Sequence, residues 1–380
     1  MNSYQLTPEL LAFQARVREL ALTQLLPVAR QIDEEESFPA GNIKALADAG
    51  VLGCCFDKKY GGGGQDFLSF VLAEEEVAKV CAATGSIIAT HCVAISCLNA
   101  YGTEEQKAKY MPLMLQGHLM GFALTEADAG SDSSYSSTYA VRDGDNYIIN
   151  GSKMFISSAP ANDFHIVITV TGKDERGRKQ FTAFIVDKDT PGFSVGKHFR
   201  KLGIRGSLTA ELVFEDCVVP ASQILGEVGK GMHVALASLD SGRICMGTQA
   251  LGIAQGALDV TREYVTTHTY DGVRIAQNQG VQFTYADLQT RVDAGRLLLW
   301  HAATLRDRGE PFSMEAAMGK LYNSDLALEV TGKCMQFFNE DALTNAYPIE
   351  RMYRDAKITQ IYEGTNEIQK MVIGRSLGIK

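Results

Sequence analysis

Apolar residues recur at three- and four-residue spacing through the first third of the chain, as in Leu10, Leu11, Phe13, Val17 and Leu20. That is the period of helices that bury one face. The pattern runs from about Pro8 to Leu115 and breaks strongly only at Pro39 and at Gly61-Gly62-Gly63-Gly64. No Lys-Ser or Lys-Thr follows those glycines and no strand precedes them, so they read as a flexible loop between helices, not a phosphate cradle. Near Gly121 the period changes. Short β-rich runs at 147–151, 165–170, 181–186 and 210–214 are punctuated by Gly, Asp and Pro. They predict a small antiparallel β-domain reaching about Leu225. Helical spacing returns near Gly231 and continues almost to the end. The order is therefore α+β, with expected divisions at 1–118 (α-helical), 119–228 (β) and 229–380 (α-helical). No internal repeat or low-complexity segment interrupts it.

A chain of 380 residues is longer than one core usually supports, so two or three subdomains are expected. Its 46% apolar content is ordinary for a globular protein. A net charge of −9 argues against nucleic acid or an anionic membrane as the main partner. It leaves room for a phosphate-bearing ligand, because a few local cations suffice to bind phosphates. No basic, apolar leader is read at the N-terminus and no apolar run approaches a membrane span, so the expected location is cytoplasmic. The eight cysteines include the adjacent Cys54-Cys55 and the spaced Cys92 and Cys97, with no Cys-x-x-Cys and no zinc spacing with His. They read as reduced thiols packed as small apolar groups, and no metal is expected.

The chemistry concentrates near the C-terminus, in Gln360-Ile361-Tyr362-Glu363-Gly364-Thr365-Asn366-Glu367-Ile368-Gln369. A carboxylate on a Gly turn can project into a cavity and act as a general base. The same residues also fit a simple N-cap turn, with Thr365 capping the last helix and Glu363 in water. A second segment lies far upstream, Gly121-Phe122-Ala123-Leu124-Thr125-Glu126-Ala127-Asp128-Ala129-Gly130-Ser131-Asp132. Together the two closely resemble the paired signatures of the acyl-CoA dehydrogenase family. The resemblance covers essentially the whole chain. Lys59-Tyr60-Gly61-Gly62, Tyr101-Gly102-Thr103-Glu104-Glu105-Gln106-Lys107, Asn150-Gly151-Ser152-Lys153, Leu239-Asp240-Ser241-Gly242-Arg243 and Arg354-Asp355-Ala356-Lys357 fall in the family's order.

The resemblance implies an N-terminal α-domain, a middle β-domain and a C-terminal four-helix bundle. It implies FAD-dependent α,β-dehydrogenation of an acyl-CoA thioester to the trans-2-enoyl-CoA, or the reverse reduction. A side chain cannot accept hydride, so a flavin is needed. Glu363 matches the base that takes the α-proton. Some family members carry their base on the helix holding Leu239 to Arg243, but the matching position here is Gly242. For the flavin, the resemblance points to Phe122, Leu124 and Thr125 at the ring, and to Gly130 and Ser131 at the phosphate-side turn. Phe155, Ile156 and Ser157 cover the ring, with Phe in place of the more usual Trp. Gln279, Gln336, Thr365, Asn366 and Glu367 complete the cofactor set. Ser131, Asp240, Arg243, Tyr362 and Gly364 match substrate-side positions, and the region around Thr90 and His91 is expected beside the acyl pocket. The implied partners are an electron-transferring flavoprotein or similar carrier and three further copies of the chain, as a dimer of dimers.

The chain also departs from that pattern. The family's Arg-x-Gln/Thr-Phe-Gly segment, which grips the flavin's ADP half in the neighbouring subunit, corresponds to Thr267-His268-Thr269-Tyr270-Asp271-Gly272. His268 replaces the Arg and Asp271 an aromatic. A second gripping segment, usually Gln-x-x-Gly-Gly, is Gln336-Phe337-Phe338-Asn339-Glu340. A charge-assisted hydrogen bond is worth about 1.5–3 kcal/mol, so losing the Arg weakens FAD binding roughly ten- to a hundredfold unless Arg274 supplies the cation. Three functions follow: the dehydrogenase; a non-catalytic or half-active subunit of a heteromeric complex with impaired FAD binding; and a helical scaffold with no redox role. The intact base motif opposes the last.

Overall fold

The structure is a computed structural model and describes residues 6–379. Its first body is helical because its caps and apolar stripes agree. Thr7 accepts from the Leu10 N–H and Pro8 opens the first turn of α1 (Pro8–Leu20). There follow α2 (Leu26–Glu35), α3 (Ala40–Asp48), α4 (Phe67–Val80), α5 (Ala82–Tyr101) and α6 (Glu104–Leu115). The glycine run before α4 is a tight loop folded back on residues 53–57, with the Gly63 N–H donating to Gly53 O at 2.9 Å and the Gly62 N–H to Asp57 O at 3.0 Å. The Tyr101–Lys107 motif proves to be a capping box, in which Thr103 and Gln106 each accept the other's backbone N–H. Gln106 also donates to Ser222 O and Ile224 O at 2.9 and 2.8 Å, docking α6 onto the next body.

That body is one sheet of eight strands: β1 (Leu119–Ala123), β2 (Tyr139–Asp143), β3 (Asn146–Ser157), β4 (Asn162–Lys173), β5 (Lys179–Asp187), β6 (Phe193–Phe199), β7 (Thr209–Pro220) and β8 (Ile224–Leu225). The order is β6-β7-β3-β2-β4-β5-β8, with β1 on β4. Most pairs are antiparallel, but β1 and one residue of β2 run parallel to β4. β1 enters from α6 rather than through a hairpin, which is what frees it to pair that way.

The third body holds α7 (Gly231–Thr267), a two-strand hairpin of β9 (Thr269–Tyr270) and β10 (Val273–Arg274), then α8 (Gln279–Asp307), α9 (Ser313–Met335), α10 (Ile349–Ile358) and α11 (Asn366–Ser376). α7 has 37 residues, about 55 Å of helix. It crosses α4 at backbone distance: a Cβ on Gly256 would lie 2.3 Å from Lys79 O. The two helical bodies share one apolar core, and the far side of the sheet encloses a second.

α5 corrects the expectation that no segment approaches a membrane span. It is long and apolar enough to cross one, but 89% of its most apolar window is buried inside the fold. Seven of the eight cysteines are buried and all are free. The Arg354-Asp355 motif is a joint between bodies. Arg354 pairs with Asp33 of α2 at 2.6 Å, and the buried Asp355 accepts from the Ile204 N–H of the loop after β6.

Candidate active site

The last turn before α11 forms the cap that its sequence offers. Thr365 caps α11, accepting from the Ile368 N–H at 3.4 Å. Glu363 is nevertheless half-buried: its Oε2 is sealed from solvent and has no hydrogen-bond partner. The chain reaches this arrangement through two left-handed residues, Glu363 at φ +53° and Gly364 at φ +87°. For a glutamate that backbone costs about 1–3 kcal/mol, a strain typical of functional turns. The turn is held from outside. Lys320 of α9 donates to Gly364 O at 2.8 Å and Asn366 Oδ1 at 2.9 Å. Gln369 donates to Gly364 O at 2.8 Å and to Glu363 O at 3.3 Å.

The carboxylate lies against α7. A Cβ at Gly242 would stand 2.9 Å from Glu363 Oε2, so the bare glycine leaves the space the carboxylate uses. One residue on, the buried Arg243 pairs with Asp240, while its Nε has no partner. Asp240 also accepts from Ser313 Oγ at 2.9 Å, so it orients Arg243. Burial raises the Glu363 pKa above the usual carboxylate range, and the charges of Arg243 and Lys320 pull it back down. Burial also lowers Lys320, to about 8, against the opposing pull of Glu363. Tyr362 donates through its hydroxyl to Gln249 of α7.

On the sheet, Phe122 lies next to last in β1 and Leu124 and Thr125 follow the strand, all three half-buried. They are brought beside Phe155 by two bonds: Met154 N–H to Thr125 O at 2.8 Å, and Lys153 Nζ to Leu124 O at 3.1 Å. A bulge between Lys153 and Ile156 in the β3–β7 pairing, with Phe155 at φ +57°, turns the Phe155 ring out of the sheet. It is 58% exposed. A strained, exposed aromatic beside a polar Thr fits one planar face of a flavin ring. Ser157 stays half-buried next to it, while Ile156 is buried at 3% and packs into the sheet's own core. Gly130 and Ser131 are exposed on the loop after β1, and a Cβ on Gly130 would meet nothing within 4 Å. The neighbouring Glu126 is structural: buried, it pairs with the fully buried Lys153 at 2.6 Å and accepts from the Ser137 and Thr138 N–H groups.

The far end of α7 differs. His268 does not reach outward. Its ring stacks on Tyr264 at 4.0 Å, Nδ1 lies 3.0 Å from Tyr264 O, and Nε2 lies 3.1 Å from the Tyr347 hydroxyl. Phe338, fully buried, joins the same cluster 4.3 Å from Tyr264. Asp271 and Gly272, at φ +49° and +76°, close the β9–β10 hairpin. An Asp-Gly pair is a strong two-residue hairpin signal, and it explains the lost aromatic. Asn339 keeps a left-handed backbone at φ +49°, so the missing glycine is replaced by a residue that tolerates its conformation. Gln279 and Gln336 are exposed at this same end of the α8–α9 hairpin, with Glu340 beside them. Arg274 is exposed and has no ion-pair partner among the described residues.

Some expected positions are engaged otherwise. Asn366 is buried, accepting from Lys320 and from Ser324 at 3.0 Å and donating to Asp325 at 2.8 Å. Glu367 is exposed in the first turn of α11. His91 does not line a pocket: Nε2 donates to Met114 O at 3.0 Å, Nδ1 accepts from the Met120 N–H at 3.3 Å, and burial lowers its pKa to about 4. Lys320 was missed. Its sequence signal was a lone cation on the buried stripe Ala316, Ala317, Asn323, Ala327 of α9. A cavity of about 490 Å³ lies elsewhere, between α2, Arg205 and residues 343–354. It touches none of the candidate residues.

The chain matches the family descriptions "Acyl-CoA dehydrogenase, N-terminal domain" over residues 7–118, "middle domain" over 121–217 and "C-terminal domain" over 229–378. It is 44% identical over 372 residues to the short-chain specific acyl-CoA dehydrogenase of Clostridium acetobutylicum, covering 97% of this chain and 98% of that one. The butyryl-CoA dehydrogenase structure from Megasphaera elsdenii superposes with a TM-score of 0.96 at 39% identity, covering 98% and 99% of the two chains. A chain in the structure of the electron transferring flavoprotein of Acidaminococcus fermentans, solved towards a mechanism of flavin-based electron bifurcation, gives a TM-score of 0.96 at 41% identity, covering 98% and 99%.

Proposed function

Because the chain belongs to the acyl-CoA dehydrogenase family of FAD-dependent oxidoreductases acting on CH–CH bonds, we propose that it desaturates an acyl-CoA thioester at Cα–Cβ with Glu363 as base. The reading rests on one observation: Glu363 Oε2 is sealed, unpartnered and accommodated by the absent side chain of Gly242. An acid that is buried in this way is matched better to a weakly acidic α-proton than an exposed one. The Glu363 N–H has no acceptor among the described residues, so it is available to the thioester oxygen as negative charge develops there. One such donor is commonly worth roughly 3 kcal/mol at the transition state. Arg243 and Lys320 keep the carboxyl ionisable in the burial that raises its pKa.

Phe122, Leu124, Thr125, Phe155 and Ser157 would hold the FAD ring, with Gly130 and Ser131 at its phosphate side. FAD, when bound, accepts the β-hydride while the α-proton goes to Glu363, leaving a Cα=Cβ bond. The reverse reduction uses the same groups, with protonated Glu363 as donor. Arg274 takes the place of the inward-turned His268 on the ADP half, together with Gln279 and Gln336. Tyr270, Val273 and Phe283 are exposed apolar residues around that hairpin. They support burial against another copy, as in a dimer of dimers. The electron partner is an electron-transferring flavoprotein.

The inward His268 ring favours a second reading, a half-active subunit that binds FAD poorly. A visible absorption spectrum of the purified protein with and without excess FAD separates the two. A near-stoichiometric flavin band bleached by a short acyl-CoA supports the enzyme. A protein that takes up no flavin from excess FAD supports the subunit reading instead.

A further inference from the structure

Three successive glutamates leave α4 in three directions. Glu75 meets Arg296 of α8 at 2.9 Å and Glu76 meets Arg18 of α1 at 2.8 Å. Glu74 faces neither of these partners. It is 0% exposed, and neither Oε1 nor Oε2 has a hydrogen-bond partner. Burial alone drives its pKa well above the carboxylate range, and no cation opposes the shift. The group is therefore a neutral acid with an unused O–H donor. Buried polar groups are almost always matched, so an orphan of this kind calls for a ligand or a water.

Its surroundings belong to the Glu363 site. Glu74 lies within electrostatic reach of Tyr362 and of Cys245. Gly242, Cys245 and Gln249 share one face of α7 at helical spacing and span about 10 Å of it. Glu363 Oε2 stands at Gly242, and the Tyr362 hydroxyl is bonded to Gln249 at the other end. Ser86 of α5, beside the Tyr362 phenol, is a second buried polar side chain whose Oγ has no geometric partner. The acyl α-carbon must meet Glu363, and an unmatched acid and a buried hydroxyl stand beside the neighbouring Tyr362.

Building on the dehydrogenase reading, we propose that Glu74 and Ser86 form the polar end of the acyl site and select a short acyl-CoA whose distal carbon bears an uncharged hydroxyl or carboxamide. An alkyl terminus would leave both groups unpaired. An anionic terminus would face an acid with no cation beside it. A buried donor left unpaired by the wrong ligand penalises that ligand, here roughly ten- to a hundredfold in kcat/KM.

The test uses the FAD-loaded protein and the rate of flavin bleaching by 4-hydroxybutyryl-CoA and by butyryl-CoA. The wild type is expected to favour the hydroxy substrate at least about tenfold, Glu74→Leu to reverse the preference, and Glu74→Gln to keep it. The Gln variant also serves if the Leu variant does not fold. Equal use of both substrates by wild type, with the ratio unchanged in either variant, overturns the assignment of Glu74 and leaves the dehydrogenase standing. A loaded flavin that neither thioester bleaches removes the dehydrogenase reading, and this inference with it.

Discussion

The two ends of α7 have opposite hydrogen-bond economies. At Gly242, polar atoms are sealed from water and left without partners: Glu363 Oε2 and Arg243 Nε. About 39 Å along the helix, at His268, both ring nitrogens are matched within the chain and the ring is stacked. Unmatched groups in dry surroundings cost stability and persist only where something else requires them. The first end therefore leaves polar groups free for a ligand, and the second matches them within the subunit itself. The sequence departures fall at the second end, which would only grip a cofactor, and spare the first, which would do chemistry.

The comparison breaks most sharply at Glu363. Glu363→Gln keeps the shape and removes the base, and the bleaching rate is expected to fall about 10²- to 10⁴-fold with the flavin band intact. A loss of FAD in parallel would mean that the residue serves binding. The gripping end is tested next. Arg274→Ala should weaken FAD binding roughly ten- to a hundredfold, as read by titration of the apoprotein. The same change at Gln282, which bonds to its own chain at Ala276 O, should be nearly silent. If Arg274→Ala binds FAD as tightly as wild type, this end does not grip the cofactor through Arg274.

The smallest effect concerns Lys320. Below about pH 8 it is charged and lowers the Glu363 pKa; above that it is neutral. Lys320→Met removes the charge at every pH, so the acid limb of the bleaching rate should move to higher pH. At pH 6 the rate should be a few-fold below wild type, and the difference should shrink above pH 8. A uniform loss at all pH values would leave Lys320 with only its bonds to Gly364 and Asn366.

Much of the site was legible because residue type and local spacing carry it. Tyr362-Glu363-Gly364-Thr365 gave both the cap and the candidate base, since a turn is a local event. Asn339 and the Asp271-Gly272 turn were visible as letters, but whether they harm the cofactor grip depended on backbone angles. Glu126, Asn366 and Asp355 looked like ligand or motif residues and turned out to be partly or wholly joints. Nothing in their own segments names Lys153, Lys320 or the Ile204 N–H as partners.

By itself the sequence determined the helix–sheet–helix order, the family and the identity of the candidate base, because periodicity, caps and turn chemistry act over a few residues. The tertiary structure decided which charges are paired. Glu74, Glu75 and Glu76 are identical letters in a row, and only the packing of α1, α5, α7 and α8 around α4 gives two of them an arginine and leaves the third with none. Burial and partnership are set by residues hundreds of positions apart, and no local pattern encodes them.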